Sequence, residues 1–390
     1  MHIRKKIEQV LFYLSRFINL FTNNHIIKKN GGKWIFISYL TEPFKRRNEK
    51  IYFHGHQNRQ ETLIFEEVIQ ELELSYVFND YNKPLNFKNR KFDIVFGIEP
   101  NFKKMCIKNP KAIKIYYATG AYYKHQNMMI IKRTNFFREK YKVNYPLRRL
   151  VKEHYSCEIA DFIFQIGSNF TIETYHEILR NKILLINQTS HVFKNINIDQ
   201  KIKATSKKDF IWFGSSGTIL KGLDLVIEYF LSNKIYNLNI VGPIEEEFIS
   251  IFKDKLKEAR NIHLYGFLDV ESNEFLELAN KCAFLVFPSG SEGGAPGSVI
   301  NLQKLGVIPI ISRWASCNKI SELGYILDDL NSSCIEKAIE WSQSLSAETL
   351  AKYIIDNHNY VVNMHNCDKF KSEIKKYFSL IISNQLHFQT

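Results

Sequence analysis

The sequence has few features of proteins that are cross-linked, held by zinc or embedded in a membrane. Its six cysteines are scattered and form no Cys-x-x-Cys pair. This argues against a structural zinc site or a disulfide framework and favours reduced cysteines in the cytoplasm. The longest apolar stretch near the start, Val10 to Phe21, is broken by Arg16 and is too short to span a bilayer. No small-residue cleavage site follows it, so we also expect no export signal.

The composition is globular, but its charge is unevenly placed. The 390 residues are 45% hydrophobic and 24% charged, with a net charge of +13, and a chain of this length favours two domains. Residues 1–200 carry 33 basic and 18 acidic side chains, against 20 and 22 in residues 201–390. A basic half would suit a nucleic acid. The sequence has no recognition-helix, zinc-finger or single-strand-binding pattern, so we expect no nucleic-acid partner and keep this class only as a distant alternative.

Short apolar runs alternate with helical patterns in both halves. The first half has strand patterns at residues 33–38, 92–96, 113–117, 162–166 and 183–186, and helix patterns at 61–74, 147–160 and 171–180. The second half has strand patterns at residues 210–213, 238–241, 262–265, 284–287 and 308–311, with helix patterns between them. This rhythm predicts an α/β fold with two doubly wound, Rossmann-like domains that face a cleft.

The same reading places the domain boundaries. We expect a basic first domain at residues 1–195 and a second domain at residues 209–365. Residues 196–208 lie in a Lys- and Asn-rich stretch without periodicity and are predicted to be a linker. Residues 366–390 are predicted to form a C-terminal helix that packs back on the first domain.

Two glycine-rich loops each follow a predicted strand directly. The first is Gly214-Ser-Ser-Gly217, with Lys221 at the start of the next helix. Small residues allow the backbone to approach an anion, exposed N–H groups can bind it, and the lysine adds charge. The loop is not a P-loop, because Leu223 stands where Ser or Thr is required. An ordinary tight turn between strand and helix remains the alternative.

The second loop runs from Pro288 to Gly297 and contains Glu292 among four glycines. Its N–H groups suit a diphosphate or sugar hydroxyls, and the carboxylate can accept hydrogen bonds from two hydroxyls. So many glycines carry an entropic cost, which argues against a loop without a role. Two such loops on one sheet favour a nucleotide-like ligand.

These residues resemble a known family. The run Phe213 to Glu228 looks like the opening of the nucleotide-binding domain of retaining GT-B glycosyltransferases of the glycogen-synthase-like type (glycosyl transferases group 1, GT4). The resemblance continues in order through residues 239–243, 261–267, 287–298 and 306–309. It covers roughly residues 209–312 and is thinner in the first half, where it rests on residues 117–120 and 160–166.

The resemblance implies a GT-B architecture and a set of donor-site residues. Lys221 and Glu292 would be the catalytic residues, with Lys221 on the donor diphosphate and Glu292 on the donor sugar. The backbone of residues 265–268 would border the nucleobase. The donor-binding residues implied are Gly214, Ser215, Ser216, Gly217, Lys221, Gly266, Phe267, Leu268, Glu292, Gly293, Gly294, Ala295, Ser298 and Asn301.

The same resemblance implies residues on the acceptor side. It also shows three positions at which this chain departs from the family's usual pattern. Thr119, Gly120, Tyr122 and His125 are the acceptor-side candidates, and the family's histidine would fall at Tyr122, with His125 nearby. The family usually has an Arg where this chain has Ser215 or Ser216. It usually has a second Glu eight residues after the first; that position is Ile300 here, and the adjacent Asn301 is the counterpart that an extra residue before Gly306 favours. These departures leave open a catalytically degenerate relative that acts as a scaffold or partner.

The activity implied is that of a retaining hexosyltransferase that uses a nucleoside-diphosphate sugar. Its acceptor would be a surface glycan, such as a lipopolysaccharide or capsule, on a polyprenyl-diphosphate-linked carrier. We expect no cofactor other than this donor and no metal. The sequence has no Asp-x-Asp motif, and His54 and His56 have no visible third ligand.

A membrane surface is the last predicted partner. Between Lys124 and Arg149 there are eight basic residues and one acidic residue, with Met128 to Ile131 and Phe136-Phe137 among them. Such a mixture suits the headgroup region of an anionic leaflet. The stretch Lys5 to Phe21 is similar. We therefore expect a cytoplasmic protein that associates peripherally with the inner face of the cell membrane.

Overall fold

The computed structural model describes residues 25–28, 32–85, 90–294 and 296–383 of the chain. These residues form two β-sheets whose strands are joined by helices. Each sheet has its own buried core, so the chain folds as two domains.

The sheet of the first domain has seven strands in the order β1-β3-β2-β4-β5-β6-β7. β1 is antiparallel to β3, and the other pairs are parallel. The order reverses between β2 and β4, which opens a crevice at their carboxyl ends. The strands are β1 (His25–Lys28), β2 (Trp34–Tyr39), β3 (Ser75–Asp80), β4 (Ile94–Gly97), β5 (Ile113–Ala118), β6 (Phe162–Ile166) and β7 (Ile183–Ile186).

The sheet of the second domain has six parallel strands in the order β10-β9-β8-β11-β12-β13. This is the Rossmann order, with the switch point between β8 and β11. The two glycine-rich loops follow β8 and β11, so the topology brings together segments that are far apart in the sequence. The strands are β8 (Ser206–Phe213), β9 (Asn237–Val241), β10 (Ile262–Gly266), β11 (Cys282–Phe287), β12 (Ile308–Ser312) and β13 (Tyr325–Leu327).

Helices connect the strands in both domains, and one short 3-10 helix, Arg313–Ala315, follows β12. The α-helices are α1 (Glu42–Lys45), α2 (Lys50–His54), α3 (Asn58–Glu71), α4 (Asn101–Lys108), α5 (Tyr123–Tyr141), α6 (Ser156–Ile159), α7 (Asn169–Glu173), α8 (Glu177–Arg180), α9 (Ile198–Ala204), α10 (Leu223–Ser232), α11 (Glu246–Glu258), α12 (Asn273–Lys281), α13 (Gly297–Lys304), α14 (Ile320–Leu323), α15 (Ser332–Ser344), α16 (Ala347–Met364) and α17 (Cys367–Ile382).

One strand at each switch point is buried along its whole length. Every residue of β4 and of β11 is buried. Strands covered on both faces read as continuous apolar runs, which is why short runs such as Phe-Leu-Val-Phe predicted them correctly. The prediction of two doubly wound, Rossmann-like α/β domains is confirmed.

The segment predicted as a linker is part of the second domain. Residues 196–208 contain α9 and the start of β8. Lys201 of α9 is buried, and its ammonium donates to the carbonyls of Ala279 and Cys282, both at 2.6 Å, and of Asn280 at 3.2 Å. These carbonyls lie at the end of α12 and the start of β11, where the helix leaves its last carbonyls without partners in the helix. The predicted linker thus consists largely of regular secondary structure that packs on the second domain.

The last described helix, α17, returns to the first domain. Phe370 and Phe378 are fully buried there. The ring of Phe370 lies 5.6 Å from that of Phe65 on α3, and the ring of Phe378 lies 5.2 Å from that of Phe164 on β6. Lys371 forms an ion pair with Glu71 at 2.7 Å. The chain thus crosses between the domains a second time, and residues 384–390 lie outside the described ranges.

Helix α5 was not predicted, because apolar residues lie on two of its faces. One face packs against the second domain. Phe137 is fully buried and stacks on Phe248 of α11 at 5.8 Å. Arg133 donates to both carboxylate oxygens of Asp224 on α10 at 2.7 Å, and both side chains are buried. These residues of the Lys124–Arg149 run are buried between the domains, so they are not available to a membrane surface.

The opposite face of α5 is exposed. Met128, Ile131 and Phe136 are between 44% and 55% exposed and are interspersed with the exposed Lys132. Lys5 to Phe21, the other stretch predicted to touch a membrane, lies outside the described residues. Among the helices that the structure describes, none is both long enough and apolar enough to cross a bilayer.

Candidate functional site

A cavity of about 1110 Å³ lies between the two domains. Its walls come from segments that follow the strands, including Leu40 and Thr119 in the first domain and Gly214, Gly242 and Glu292 in the second. It therefore lies at the carboxyl ends of both sheets, where open α/β sheets bind ligands. The volume exceeds the roughly 300–1,000 Å³ of a typical small-ligand site, which leaves room for two ligands side by side.

Glycines join the strand ends on the second-domain side. Gly214 donates its N–H to Val241 O at 3.0 Å, and Gly242 donates to Gly266 O at 2.7 Å. Gly242 has a φ of +117°, and a Cβ there would lie 1.7 Å from Gly214 O. Only glycine allows this approach. The three turns after β8, β9 and β10 thus form one continuous floor.

Lys221 provides a buried cation in this floor. Its side chain is 5% exposed, and its Nζ donates to Ser215 Oγ at 3.1 Å. Burial lowers the pKa of Lys221, the Glu292 carboxylate raises it, and the Arg149 charge lowers it again. A cation with little water around it gains more from a bound anion than an exposed one does.

The first loop already holds a carboxylate of the protein itself. Glu245, at the start of α11, accepts hydrogen bonds from the Gly217 N–H and from the Thr218 hydroxyl, the latter at 2.7 Å. The sequence analysis assigned the Gly217 amide to the donor diphosphate, and in this structure that amide is occupied. Ser215 and Ser216 are exposed at the turn.

The second loop places Glu292 opposite Lys221. Its Oε1 accepts from Ser289 Oγ at 3.0 Å, and its N–H donates to Trp314 O at 2.8 Å. Gly290 donates its N–H to Leu220 O at 2.7 Å, which ties this loop to the first. These contacts fix the carboxylate within the cavity wall, where Lys221 also lies.

The following glycines lie against the first domain. A Cβ on Gly293 would be 2.3 Å from Gly120 Cα, and one on Gly294 would be 2.5 Å from Ile166 Cγ2. Thr171 Oγ1 donates to Gly293 O at 2.7 Å. Both glycines line the cavity, but their close neighbours are protein atoms of the other domain. Ala295 lies outside the described residues.

Ser298 and Asn301 lie on α13, which follows this loop, and both line the cavity. The side-chain carbonyl of Asn301 accepts the His191 N–H at 2.9 Å. Asn301 thus bonds the segment that joins the domains, and its NH₂ group and the second lone pair of its carbonyl oxygen are left for a hydroxyl.

The turn after β10 forms the remaining part of the predicted donor site. Gly266 has a φ of +65° with no atom within 4 Å of a Cβ position. Phe267 is 77% exposed and lines the cavity together with Leu268. A large exposed aromatic ring beside a cavity offers an apolar face for a planar ligand.

The four acceptor-side candidates lie in different environments in the structure. Thr119 is exposed and lines the cavity, while Gly120 packs on Gly293. Tyr122 is 2% exposed and donates its hydroxyl to Glu158 at 2.9 Å, so it belongs to the interior of the first domain. His125 is half-buried, with its ring 4.7 Å from that of Trp314, and burial lowers its pKa.

Sequence reasoning missed a pair of residues that bridges the cleft. His191 Nε2 lies 2.7 Å from Glu271 Oε1, and both side chains are largely buried. Burial lowers the pKa of His191, and the Glu271 carboxylate opposes that shift. The His191 ring also contacts the His54 ring at 5.0 Å. No sequence signal links these positions, which come from segments far apart. Within the described ranges, no three His, Cys, Asp or Glu side chains are grouped as metal ligands.

A buried carboxyl on the first-domain side was also missed. Glu61 of α3 lines the cavity and accepts hydrogen bonds from Tyr117 OH at 3.2 Å and from the N–H and hydroxyl of Thr189 at 3.1 and 3.2 Å. Burial raises the pKa of Glu61, and these hydrogen bonds oppose the shift. It appeared in the sequence only as one polar residue of an amphipathic helix.

Comparisons with known proteins support the architecture. The sequence matches no protein-family model and no curated protein. The structure is similar to three solved structures that each align with the whole of their own chains. Sucrose-phosphate synthase from Thermosynechococcus elongatus has a TM-score of 0.61 at 10% identity, over 91% of this chain and 100% of that chain. A glycosyltransferase from Rickettsia africae has a TM-score of 0.54 at 14% identity, over 91% and 100%. HepE from Anabaena, in complex with UDP and glucose, has a TM-score of 0.50 at 10% identity, over 90% and 100%.

These structures are GT-B glycosyltransferases. The agreement extends over both domains, so the fold of this chain is the GT-B fold, as the sequence predicted. At such low identity the agreement concerns the fold. The activity has to be argued from the residues of the cleft.

Proposed function

We propose that this protein is a retaining hexosyltransferase that moves a sugar from a nucleoside-diphosphate donor to a surface glycan on a lipid-linked carrier. One observation carries the proposal. A buried cation, Lys221, and a fixed carboxylate, Glu292, face the same interdomain cavity from the two loops at the switch point of the second sheet. A diphosphate leaving group requires a cation, and a bound sugar requires a group that accepts hydrogen bonds from its hydroxyls. HepE, a protein of the same fold, was solved with UDP and glucose.

The reaction follows from these positions. The acceptor oxygen forms a bond to the anomeric carbon while the bond from that carbon to the diphosphate oxygen breaks. The electron pair of the breaking bond goes to the diphosphate, and a phosphate oxygen takes the proton of the acceptor hydroxyl on the same face. Lys221 stabilises the charge that develops on the leaving group, and Glu292 orients the sugar through its hydroxyls. The proposal includes no metal ion, because the lysine and backbone amides supply the positive charge.

The experiment is a panel of UDP-, GDP- and ADP-sugars tested for binding by calorimetry and for slow hydrolysis. We expect one nucleotide class to bind and to release its sugar. A folded protein that binds none of them would contradict the proposal. Binding without hydrolysis or transfer would instead favour a catalytically degenerate relative, the alternative that Ser215, Ser216 and Asn301 leave open.

The proposal also places the protein at an anionic membrane surface on the cytoplasmic side, where a polyprenyl-diphosphate-linked acceptor is found. The supporting feature is the exposed face of α5, with Met128, Ile131 and Phe136 beside Lys132. Apolar side chains of this kind enter the headgroup region, and a nearby cation adds about 1 kcal/mol.

Vesicle sedimentation tests this placement. We expect binding to phosphatidylglycerol-containing vesicles that weakens at high salt, and little binding to phosphatidylcholine. The double variant Ile131→Ser, Phe136→Ser should bind about tenfold more weakly or worse, because it removes two apolar groups from the contact. Ile235→Ser, at a site 70% exposed in the second domain, is the matched control. Equal vesicle binding by the α5 variant and the control variant, or vesicle binding that does not depend on lipid charge, would exclude docking through α5.

A further inference from the structure

The segment between α5 and α6 has a conformation that the sequence did not predict. A helix was expected over residues 147–160, and only α6 is helical there. Asn127 of α5 donates to Val151 O and accepts from Val151 N–H, both at 2.8 Å, and Gln126 donates to Arg149 O at 3.2 Å. Side chains of α5 thus take backbone groups that a helix would use, and they hold the segment in a non-helical conformation.

Arg149 is the residue of this segment that reaches the second domain. Its φ is +65°, a conformation that residues with a side chain avoid. A Cβ on Gly217 would lie 2.6 Å from Arg149 Cδ, so the side chain runs along the glycine. Its Nη1 donates to Ser216 O at 3.2 Å. Unfavourable backbone conformations that a structure maintains are concentrated at functional sites.

The charge of Arg149 has no counterion in the part of the chain that the structure describes. Its neighbour Arg148 pairs with Glu247 at 2.7 Å on the protein surface. Arg149 instead lines the interdomain cavity, as Lys221 does. Two cations thus converge on the first loop from different domains. The single hydrogen bond to Ser216 O leaves most of the five guanidinium N–H donors available to a ligand.

We propose that Arg149 binds the diphosphate of the nucleotide-sugar donor from the first domain, opposite Lys221. This role rests on the proposed function. Glu245 occupies the Gly217 amide, so the first loop has one N–H fewer for a phosphate. A guanidinium fork can supply two parallel hydrogen bonds to phosphate oxygens, which an ammonium or a single amide cannot.

The assignment has a structural consequence. The residues that bind the diphosphate then come from both domains, with Lys221 on one and Arg149 on the other. Diphosphate binding would therefore depend on α5, whose Gln126 and Asn127 hold this segment beside the first loop. Nucleoside recognition at the turn after β10 would not share this dependence.

The test compares three variants by calorimetry with UDP, GDP and ADP and with their nucleosides. We expect Arg149→Ala to weaken binding of the preferred diphosphate by about 10- to 100-fold, with the affinity for its nucleoside changed less than about twofold. Arg149→Lys should lie between, because it keeps the charge and loses the fork. Arg148→Ala should bind as the wild type does. Alanine and arginine meet the same backbone strain at this φ, so stability should not change.

Two results would overturn the assignment. One is an Arg149→Ala protein that binds the diphosphate as tightly as the wild type. The other is an equal loss for diphosphate and nucleoside, which would indicate a structural role for the segment. If the wild type itself binds none of the three diphosphates, the proposed function fails, and this role fails with it. The wild-type titration therefore distinguishes the two failures.

Discussion

Lys221→Ala is expected to lower turnover by about 30- to 1,000-fold, because a charge-assisted contact to a leaving diphosphate contributes roughly 2–4 kcal/mol to transition-state stabilisation. The fold should survive, since the side chain lines the cavity wall and, among the described residues, donates a hydrogen bond to Ser215 Oγ alone. The measurement is kcat and kcat/KM with the donor found in the panel, beside the thermal midpoint. Lys234→Ala, at an exposed position remote from the cleft, is the control.

Glu292→Ala should lower turnover to a comparable extent. Glu292→Gln keeps the shape of the side chain and removes its charge, so it should distinguish the contributions of the two. If the carboxylate acts by accepting hydrogen bonds from hydroxyls, the amide keeps part of this capacity and the glutamine variant should retain more activity than alanine. The contact with Ser289 can persist in the glutamine variant, which keeps a side-chain carbonyl oxygen, and is lost in the alanine variant. A near-normal rate in the Lys221 or the Glu292 alanine variant would remove that residue from the site.

Asp224→Ala is expected to destabilise the protein by about 3–5 kcal/mol, because it leaves the buried guanidinium of Arg133 without its partner. The two side chains are 5% and 2% exposed and share two hydrogen bonds of 2.7 Å. Burial raises the pKa of Asp224, and the Arg133 charge opposes this shift. The measurement is the midpoint of urea denaturation followed by circular dichroism at neutral pH.

The matched variant is Arg133→Met combined with Asp224→Leu. Replacing both charges by apolar groups of similar size should recover most of the stability that the single change loses. If the free energy of unfolding of Asp224→Ala lies within about 1 kcal/mol of the wild-type value, water reaches the ion pair and the pair does not hold α5 in place.

The sequence was sufficient for the sheet architecture because the strands carry local signals. β6 and β7 have the predicted bounds, and the apolar run of β6 follows from its burial in the sheet. α5 and β3 were not predicted from the sequence, and each omission has a physical reason. α5 buries one apolar face and exposes another, so no single helical stripe marks it. β3 begins at Ser75, directly after the helix predicted over residues 61–74, and no glycine or proline separates the two.

The candidate site was predictable where a loop follows its own strand. Gly214, Lys221 and Glu292 line the cavity as expected, since the switch point of the sheet fixes their positions. Residues that reach the cleft from other elements carried no such signal. Arg149 lies in a segment held by side chains of α5, and His191 pairs with Glu271 across the domains. Long-range contacts of this kind depend on packing, which local patterns do not encode.

The docking of α5 also determines how this protein can be divided. By chain order α5 belongs to the first half, yet Phe137 and Arg133 complete the packing of α10 and α11. A fragment that begins at residue 209 would expose Phe248 and an unpaired Asp224. A chimaera that exchanges acceptor domains between proteins of this fold would therefore need to retain α5 or to redesign the surface of α10 and α11 on which it packs. The modular unit in this chain is discontinuous in sequence.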